Sequence, residues 1–328
     1  MLHFIYLVIL TAFIFDFING FHDASNSIAT IVATGVLKPT TAVIWAAFFN
    51  FIAFLFFHLN VASTIGIGLV SADSINTYVI FAALIGAISF NLLTWYFGLP
   101  SSSSHALIGG LIGAAVTNAG WTALQGAGLI KVIVAIVISP LLGLVLAVVG
   151  MQLIKICISN TKNPVVQRWS RHFQLISAAL LSLGHGGNDA QKTMGIIAIL
   201  LFTSQLTGPH FYVPLWVVIS CHFVIALGTL AGGWRIVHTL GKKITKLEPL
   251  NASVAESASA ITLILATYLG IPVSTTHTVT GAITGIGIQN GWLSTNWGII
   301  KRIVWAWIFT IPAAAIFASG IVWLNKIL

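Results

Sequence analysis

Charge is what this sequence has least of. Asp and Glu number six in 328 residues, and all charged residues together make up 6%, against about a quarter in a soluble domain. That scarcity excludes a water-solvated surface over most of the chain. Cysteine is nearly absent as well: Cys157 and Cys221 have no partner spacing for a zinc site or a disulfide framework. The 14 Lys and Arg give a formal net charge of +8, but they form no basic stripe interleaved with aromatics, which excludes a nucleic-acid partner. The first apolar run has no basic leader and no small-residue cleavage pattern, and reads as a retained helix, not a signal peptide.

What the chain has instead is apolar length. Hydrophobic residues make up 58% of it, and long runs recur at Leu2–Asn19, Thr40–Phe57, Tyr78–Gly98, Leu129–Ile154, Phe211–Gly232, Ser253–Leu269 and Ile303–Leu324. A membrane-spanning helix needs about 17–25 such residues, with every backbone polar group satisfied internally. The reading is an all-α polytopic membrane protein of the plasma (inner) membrane, with the lipid bilayer as its surroundings.

Two motifs occur twice, in the same order. "GLPSSSSHALIGGLIG" (98–113) aligns with "GIPVSTTHTVTGAITG" (270–285), pairing Pro100 with Pro272, Ser102 with Ser274 and His105 with His277. "GFHDASNSIAT" (20–30), which interrupts the first apolar run, aligns with "GHGGNDAQKTMG" (184–195) and pairs Asp23 with Asp189. The expected organisation is a repeat over 1–158, a basic linker over 159–172 and a second repeat over 173–328. Eleven Lys/Arg fall on one side when Lys38 and the segments 155–171, 235–246 and 301–302 are placed in the cytoplasm. Lys131 and Lys326 then lie outside and both termini are non-cytoplasmic. The halves enter the membrane from opposite sides, and an inverted-topology repeat with short Gly/Pro-interrupted segments at matching positions points to a secondary transporter with broken helices.

The hydroxyl runs follow a Pro and precede an apolar segment, so Ser and Thr there predict helix N-caps. A helix N-terminus offers free N–H groups and a positive dipole end to an anion. Ser102, Ser103 and Ser104 facing Ser274, Thr275 and Thr276 across a pseudo-twofold axis would cradle a tetrahedral oxyanion. The alternative is that the hydroxyls only cap helix ends. Re-entrant hairpins are preferred to full crossings, because only they bring both tips to mid-membrane.

Of the acids, Asp73 and Glu248 read as solvated. Asp16, Asp23, Asp189 and Glu256 fall at membrane depth, where an unpaired acid costs about 2.5–3.5 kcal/mol on an insertion scale. The repeat singles out Asp23 and Asp189; Glu256 opens a small-residue face, and Asp16 has the weakest claim and reads as structural. A carboxylate beside an anion site can hold Na⁺ or a proton, or accept from the P–OH of phosphate, which sulfate lacks at neutral pH. His22, His105, His185 and His277 lie in the four motifs, as proton relays or as packing elements. His185 and Asp189 share a helix face, but no third soft ligand accompanies them for zinc. The alignment sets Lys192 opposite Asn26. Its ammonium either stands where a coordinated cation would sit, neutralises Asp189, or snorkels to the interface.

These residues resemble the inorganic phosphate transporter (PiT) family, whose duplicated signature reads roughly G-A-N-D-V-A-N-A. The likeness spans the chain from Gly20 to about Gly285 and the closing helix. It implies a cation-coupled phosphate symporter with ligands at Asp23, Asn26, Asn188, Asp189 and the Ser/Thr blocks. Coupling roles are expected for Asp23, Asp189, Glu256, Lys192, His22 and His185, with Asp23, Asn26 and Asp189 as Na⁺ ligands in a sodium-coupled version. Two departures, His22 in place of Asn and Gln191-Lys192 in place of Ala-Asn, resemble the bacterial proton-linked branch, which carries phosphate often as a neutral complex with a divalent metal. No resident cofactor is implied, and a homo-oligomer is left open. The expectation is therefore a proton-coupled phosphate symporter working by alternating access; the alternatives are a sulfate permease or a Na⁺-coupled transporter of the same fold. An intramembrane enzyme is disfavoured, because the acids recur symmetrically and neither an H-E-x-x-H helix nor a nucleophile elbow is present.

Overall fold

The computed structural model describes residues 2–158 and 163–327. Twelve α-helices are formed among them: α1 (Leu2–Ala33), α2 (Pro39–Ile52), α3 (Asn60–Ile67), α4 (Thr77–Tyr96), α5 (Ser103–Ala119), α6 (Gly126–Cys157), α7 (Pro164–Thr203), α8 (Leu215–Ala231), α9 (Trp234–His238), α10 (Pro249–Tyr268), α11 (Thr275–Gln289) and α12 (Trp297–Ile327). The first six and the last six follow one pattern: a long helix, a bent pair, a hairpin and a long closing helix. Pro opens α2, α7 and α10 at the first turn, where its missing N–H costs nothing. The expected linker over 159–172 divides: 159–162 lie outside the described residues, and 164–172 form the first turns of α7.

Five helices are long and apolar enough to cross a membrane, namely α1, α4, α6, α10 and α12, or seven spans when each bent pair is taken as one. The pairs bend by 83° between α2 and α3 and by 63° between α8 and α9. The chain breaks at these two places. The polar stretch 20–30 interrupts the hydropathy but not the helix: α1 runs through it without a break, and α7 runs through 184–195. α7 is 40 residues long, and its buried polar residues keep it off the hydropathy count. α5 and α11, of 17 and 15 residues, fall short of the usual span of about 20, as arms of hairpins should.

The halves interlock. α5 of the first half lies on α12 of the second, and α11 lies on α6. Close approach explains the glycines there. A Cβ on Gly109 would sit 2.5 Å from the Ile311 carbonyl oxygen, and one on Gly281 would sit 2.1 Å from that of Pro140. The hairpin elbows turn at Gly98 and Gly270, with φ of +63° and +67°, a region open to glycine at little cost.

Each elbow is held by the short helix of the opposite half. Asn60 of α3 donates to the Tyr268 carbonyl (3.0 Å) and Thr64 to that of Gly270 (2.8 Å). Across the pseudo-twofold axis, Arg235 of α9 donates to the Tyr96 carbonyl (2.6 Å) and Thr239 to that of Gly98 (3.1 Å).

Two apolar clusters form the core. One gathers Val8, Ala12 and Phe15 of α1 with Leu107, Leu111 and Leu200. The other gathers Ile28 and Ile31 of α1 with Leu181, Leu263 and Ile283. Between them along α1 lie Asn19, His22, Asp23, Ser25, Asn26 and Ser27, all buried. The termini share one end of the molecule: Phe4 stacks on Tyr78 (6.3 Å), whose hydroxyl donates to the Ile321 carbonyl. The basic segments share the other, tied by Thr34 to Gln174 (2.9 Å), Lys155 to the Gln289 carbonyl (3.3 Å) and the Asn296 N–H to the Ile244 carbonyl (2.8 Å).

Candidate functional site

The buried polar layer is built from the middles of α1 and α7 and the N-termini of α5 and α11. Ser102 and Ser274 cap those N-termini, each accepting from the N–H three residues on, at His105 and His277 (3.2 Å in both). Each thus uses one acceptor lone pair in capping its helix. The next two hydroxyls of the second run bond the acids, and those of the first run do not. Thr275 donates to Asp189 (3.3 Å) and Thr276 to Asp23 (3.4 Å), while Ser104 accepts from the Lys192 ammonium. Ser103 Oγ is buried with no hydrogen-bond partner among the described residues. The tips meet: the His105 and His277 rings pack edge to face at 4.6 Å, and His277 stacks on Trp307 at 3.9 Å. This contact gives both histidines a packing role at the pseudo-twofold axis.

Asp23 is held by His22, whose Nδ1 is 2.9 Å from Asp23 Oδ1 and whose Nε2 meets Thr94 Oγ1 at 3.2 Å. Asp189 is held by Lys192, its Nζ 2.5 Å from Asp189 Oδ1. The Lys192 ammonium also donates to the Val273 carbonyl (2.7 Å) and is 1% exposed. It does not snorkel, and it neutralises Asp189 across one helical turn. Asn26 matches it in the other half, donating to Thr276 (2.9 Å) as Lys192 donates to Ser104. One geometry is therefore served by an ammonium on one side and an amide on the other.

Acceptor oxygens are left over. Among the described residues Asn26 Oδ1 and Asn188 Oδ1 are buried without a donor, as is Asp189 Oδ2, although His185 Nε2 lies 3.3 Å from it outside hydrogen-bond geometry. Asn188 is anchored through its nitrogen to Thr267 (3.0 Å) and the Ile271 carbonyl (3.3 Å). A buried oxygen without a partner is costly, and such a cluster suits a cation or a protonated oxyanion. Ligand atoms of Asp23, His185 and Asp189 all lie within 4.8 Å of one another. Spacing along α7 supplies two groups that could hold a metal, and the fold brings a third, Asp23, from α1.

Glu256 stands apart from this centre. It accepts from Gln174 (2.9 Å) and Ser177 (2.5 Å) towards the basic end. Sequence reasoning missed several supporting residues. Asn50 holds His185 Nδ1 (3.2 Å) and Thr229 (2.9 Å). Gln191 accepts from the Val61 and Ala62 N–H groups that open α3 (3.0 and 3.2 Å). A lone amide in an apolar run, as at Asn50, was the available signal.

A two-fold repeated all-helical membrane protein, with paired acids and facing helix N-termini buried at its centre, has the construction of a secondary transporter. Comparison with known proteins agrees. The chain matches the model of the Phosphate transporter family over residues 19–168 and 158–318. It is 56% identical over 312 residues to a probable low-affinity inorganic phosphate transporter of Rhizobium meliloti (strain 1021), covering 95% of this chain and 93% of the relative. It is 42% identical over 311 residues to a protein of the same description from Bacillus subtilis (strain 168), covering 94% and 93%. A solved structure titled "The sodium-dependent phosphate transporter" superposes with a TM-score of 0.92 at 24% identity, covering 99% of this chain and 100% of that one; it shows the shared fold. The chain belongs to the Phosphate transporter family, and it is a transporter and not an enzyme.

Proposed function

We propose that the protein is a proton-coupled symporter of inorganic phosphate that works by alternating access around the centre between its repeats. The observation that carries this reading is the unequal pairing of the two acids: Lys192 neutralises Asp189, while among the described residues Asp23 is paired with the His22 imidazole and a Thr276 hydroxyl. A resident ammonium takes the place of a cation in one half and leaves Asp23 to carry the coupled charge. Phosphate fits two helix N-termini, the free Ser103 hydroxyl and the spare acceptors, since its P–OH can donate where sulfate cannot. Asp23, Asn26, Asn188, Asp189, Ser103, Ser104, Thr275 and Thr276 are the proposed substrate contacts. Both termini lie on the non-cytoplasmic side of the plasma membrane, because the basic segments gather at the other end.

The deciding experiment is uptake of radiolabelled phosphate into proteoliposomes under an imposed pH gradient or an imposed Na⁺ gradient, with sulfate as competitor. Uptake driven by pH alone is expected. Uptake driven only by Na⁺ would overturn the proton assignment, and no uptake above empty vesicles under either gradient would overturn the phosphate reading.

A second reading is favoured by the cluster of Asp23, His185 and Asp189: phosphate enters together with a divalent metal as a neutral complex. Phosphate-dependent uptake of manganese into the same vesicles tests it.

A further inference from the structure

Asp16 is fully buried in α1, two turns before Asp23 and on the same face, a rise of about 10 Å. α7 runs antiparallel to α1, so that Thr193 meets Asp16 one turn beyond Asp189. The Thr193 hydroxyl donates to Asp16 Oδ1 at 2.7 Å, and Asp16 Oδ2 is buried without a partner among the described residues. Asn19 Oδ1, one turn on along α1, is likewise buried and unpartnered. Among the described residues no cation pairs with Asp16. The titratable groups that face it are Asp189 of α7 and the Cys221 thiol of α8; α4, also packed on α1, carries only its end tyrosines Tyr78 and Tyr96. A lone carboxylate with one neutral donor is unstable at membrane depth and is relieved by taking a proton.

We propose that Asp16 is a proton-carrying carboxyl of the transport cycle, separate from the central aspartates and set between them and the end where both termini lie. Asp16 receives its proton on Oδ2 from water when that end is open and gives it up to water when the opposite end opens. Glu256, on the far side of the centre with Gln174 and Ser177, leaves the seam between α1 and α7 with one isolated carboxyl on each flank. Repeat alignment does not reveal Asp16, because its counterpart in α7 is Ser182.

The inference rests on the proton-coupled reading above, and the test separates the two. Wild type, Asp16→Asn and Asp16→Glu are reconstituted into proteoliposomes and assayed for pH-gradient-driven accumulation of labelled phosphate and for phosphate–phosphate exchange without a gradient. Asp16→Asn is expected to lose accumulation by about tenfold or more, as for a typical coupling factor, while exchange persists and loses its pH dependence. Asp16→Glu should keep both activities. Wild-type accumulation in Asp16→Asn would overturn the proposal. Loss of exchange in Asp16→Asn would overturn it too, by making the residue part of binding or folding. Failure of the wild type itself to accumulate phosphate under a pH gradient would instead overturn the coupling reading beneath it.

Discussion

Lys192 Nζ lies 2.5 Å from Asp189 Oδ1, with both side chains essentially closed to water. Among the described residues no Lys or Arg forms an ion pair with Asp23, at the equivalent position of the other repeat, where Asn26 stands in the place of Lys192. Two acids related by duplication thus differ in charge balance, and the difference sets what each tolerates.

Removing one member of a buried ion pair costs about 3–5 kcal/mol, because the other charge is left uncompensated. Asp189→Asn leaves the Lys192 ammonium in that position and should destabilise the protein strongly. Asp23→Asn keeps the contacts to His22 and Thr276, which an amide can still bond, and should cost about 1 kcal/mol. Thermal unfolding in detergent checks the order: a larger loss for Asp23→Asn would show that the pairing does not govern stability. Both variants should abolish gradient-driven phosphate accumulation.

Lys192→Asn makes the two halves alike at this position. The new amide can reach Ser104 as Asn26 reaches Thr276, and Asp189 is left with a negative charge to balance. Uptake by this variant is expected to become dependent on added Na⁺, with an external cation replacing the ammonium. Measuring phosphate uptake with Na⁺ exchanged for choline decides it; equal uptake in the two media would show that the ammonium does not substitute for a cation.

Glu256→Gln should fold with little loss, within about 1 kcal/mol. The amide oxygen still accepts from Gln174, and the amide nitrogen can donate to Ser177, whose hydroxyl already faces the Gln174 carbonyl (3.2 Å). Glu256→Ala strands the Gln174 nitrogen and opens a void, at about 2–4 kcal/mol. Accumulation driven by a pH gradient should fall in both, so loss of coupling in the well-folded Gln variant is the informative result. Wild-type accumulation there would confine Glu256 to packing.

Much of the site was legible in the sequence because duplication marks it. Asp23 with Asp189, and Ser104 with Thr276, pair carboxylate with carboxylate and hydroxyl with hydroxyl inside repeated motifs, and the fold brings each pair to one centre. At Gly20–Thr30 polar residues interrupt the hydropathy although the helix continues: Asp23 and Asn26 bond Thr276 of the opposite half through their side chains, and the backbone ladder is untouched. The short helices α3 and α9 were hidden for another reason. "NVAST" and "RIVHT" share only a terminal Thr, since a hydrogen bond to a backbone carbonyl can be given by Asn or by Arg. What is repeated there is a geometry.

That geometry carries the last prediction. Asn60 and Thr64 bond the Tyr268 and Gly270 carbonyls, and Arg235 and Thr239 bond those of Tyr96 and Gly98, one latch on each side of the buried centre. Arg235 also packs its guanidinium over Trp95 and Tyr96 at 5.1 and 5.2 Å, so the two latches are unequal. Losing two bonds removes about 2 kcal/mol, or roughly thirtyfold in the ratio of closed to open. In a background lacking Cys157 and Cys221, a cysteine at Ser103 reports access to the centre. Arg235→Ala with Thr239→Val should raise its labelling by a membrane-impermeant thiol reagent applied from the side of the basic segments. Asn60→Ala with Thr64→Val should raise it from the opposite side. Labelling that rises equally from both sides in either variant would mean that the elbows do not gate access separately.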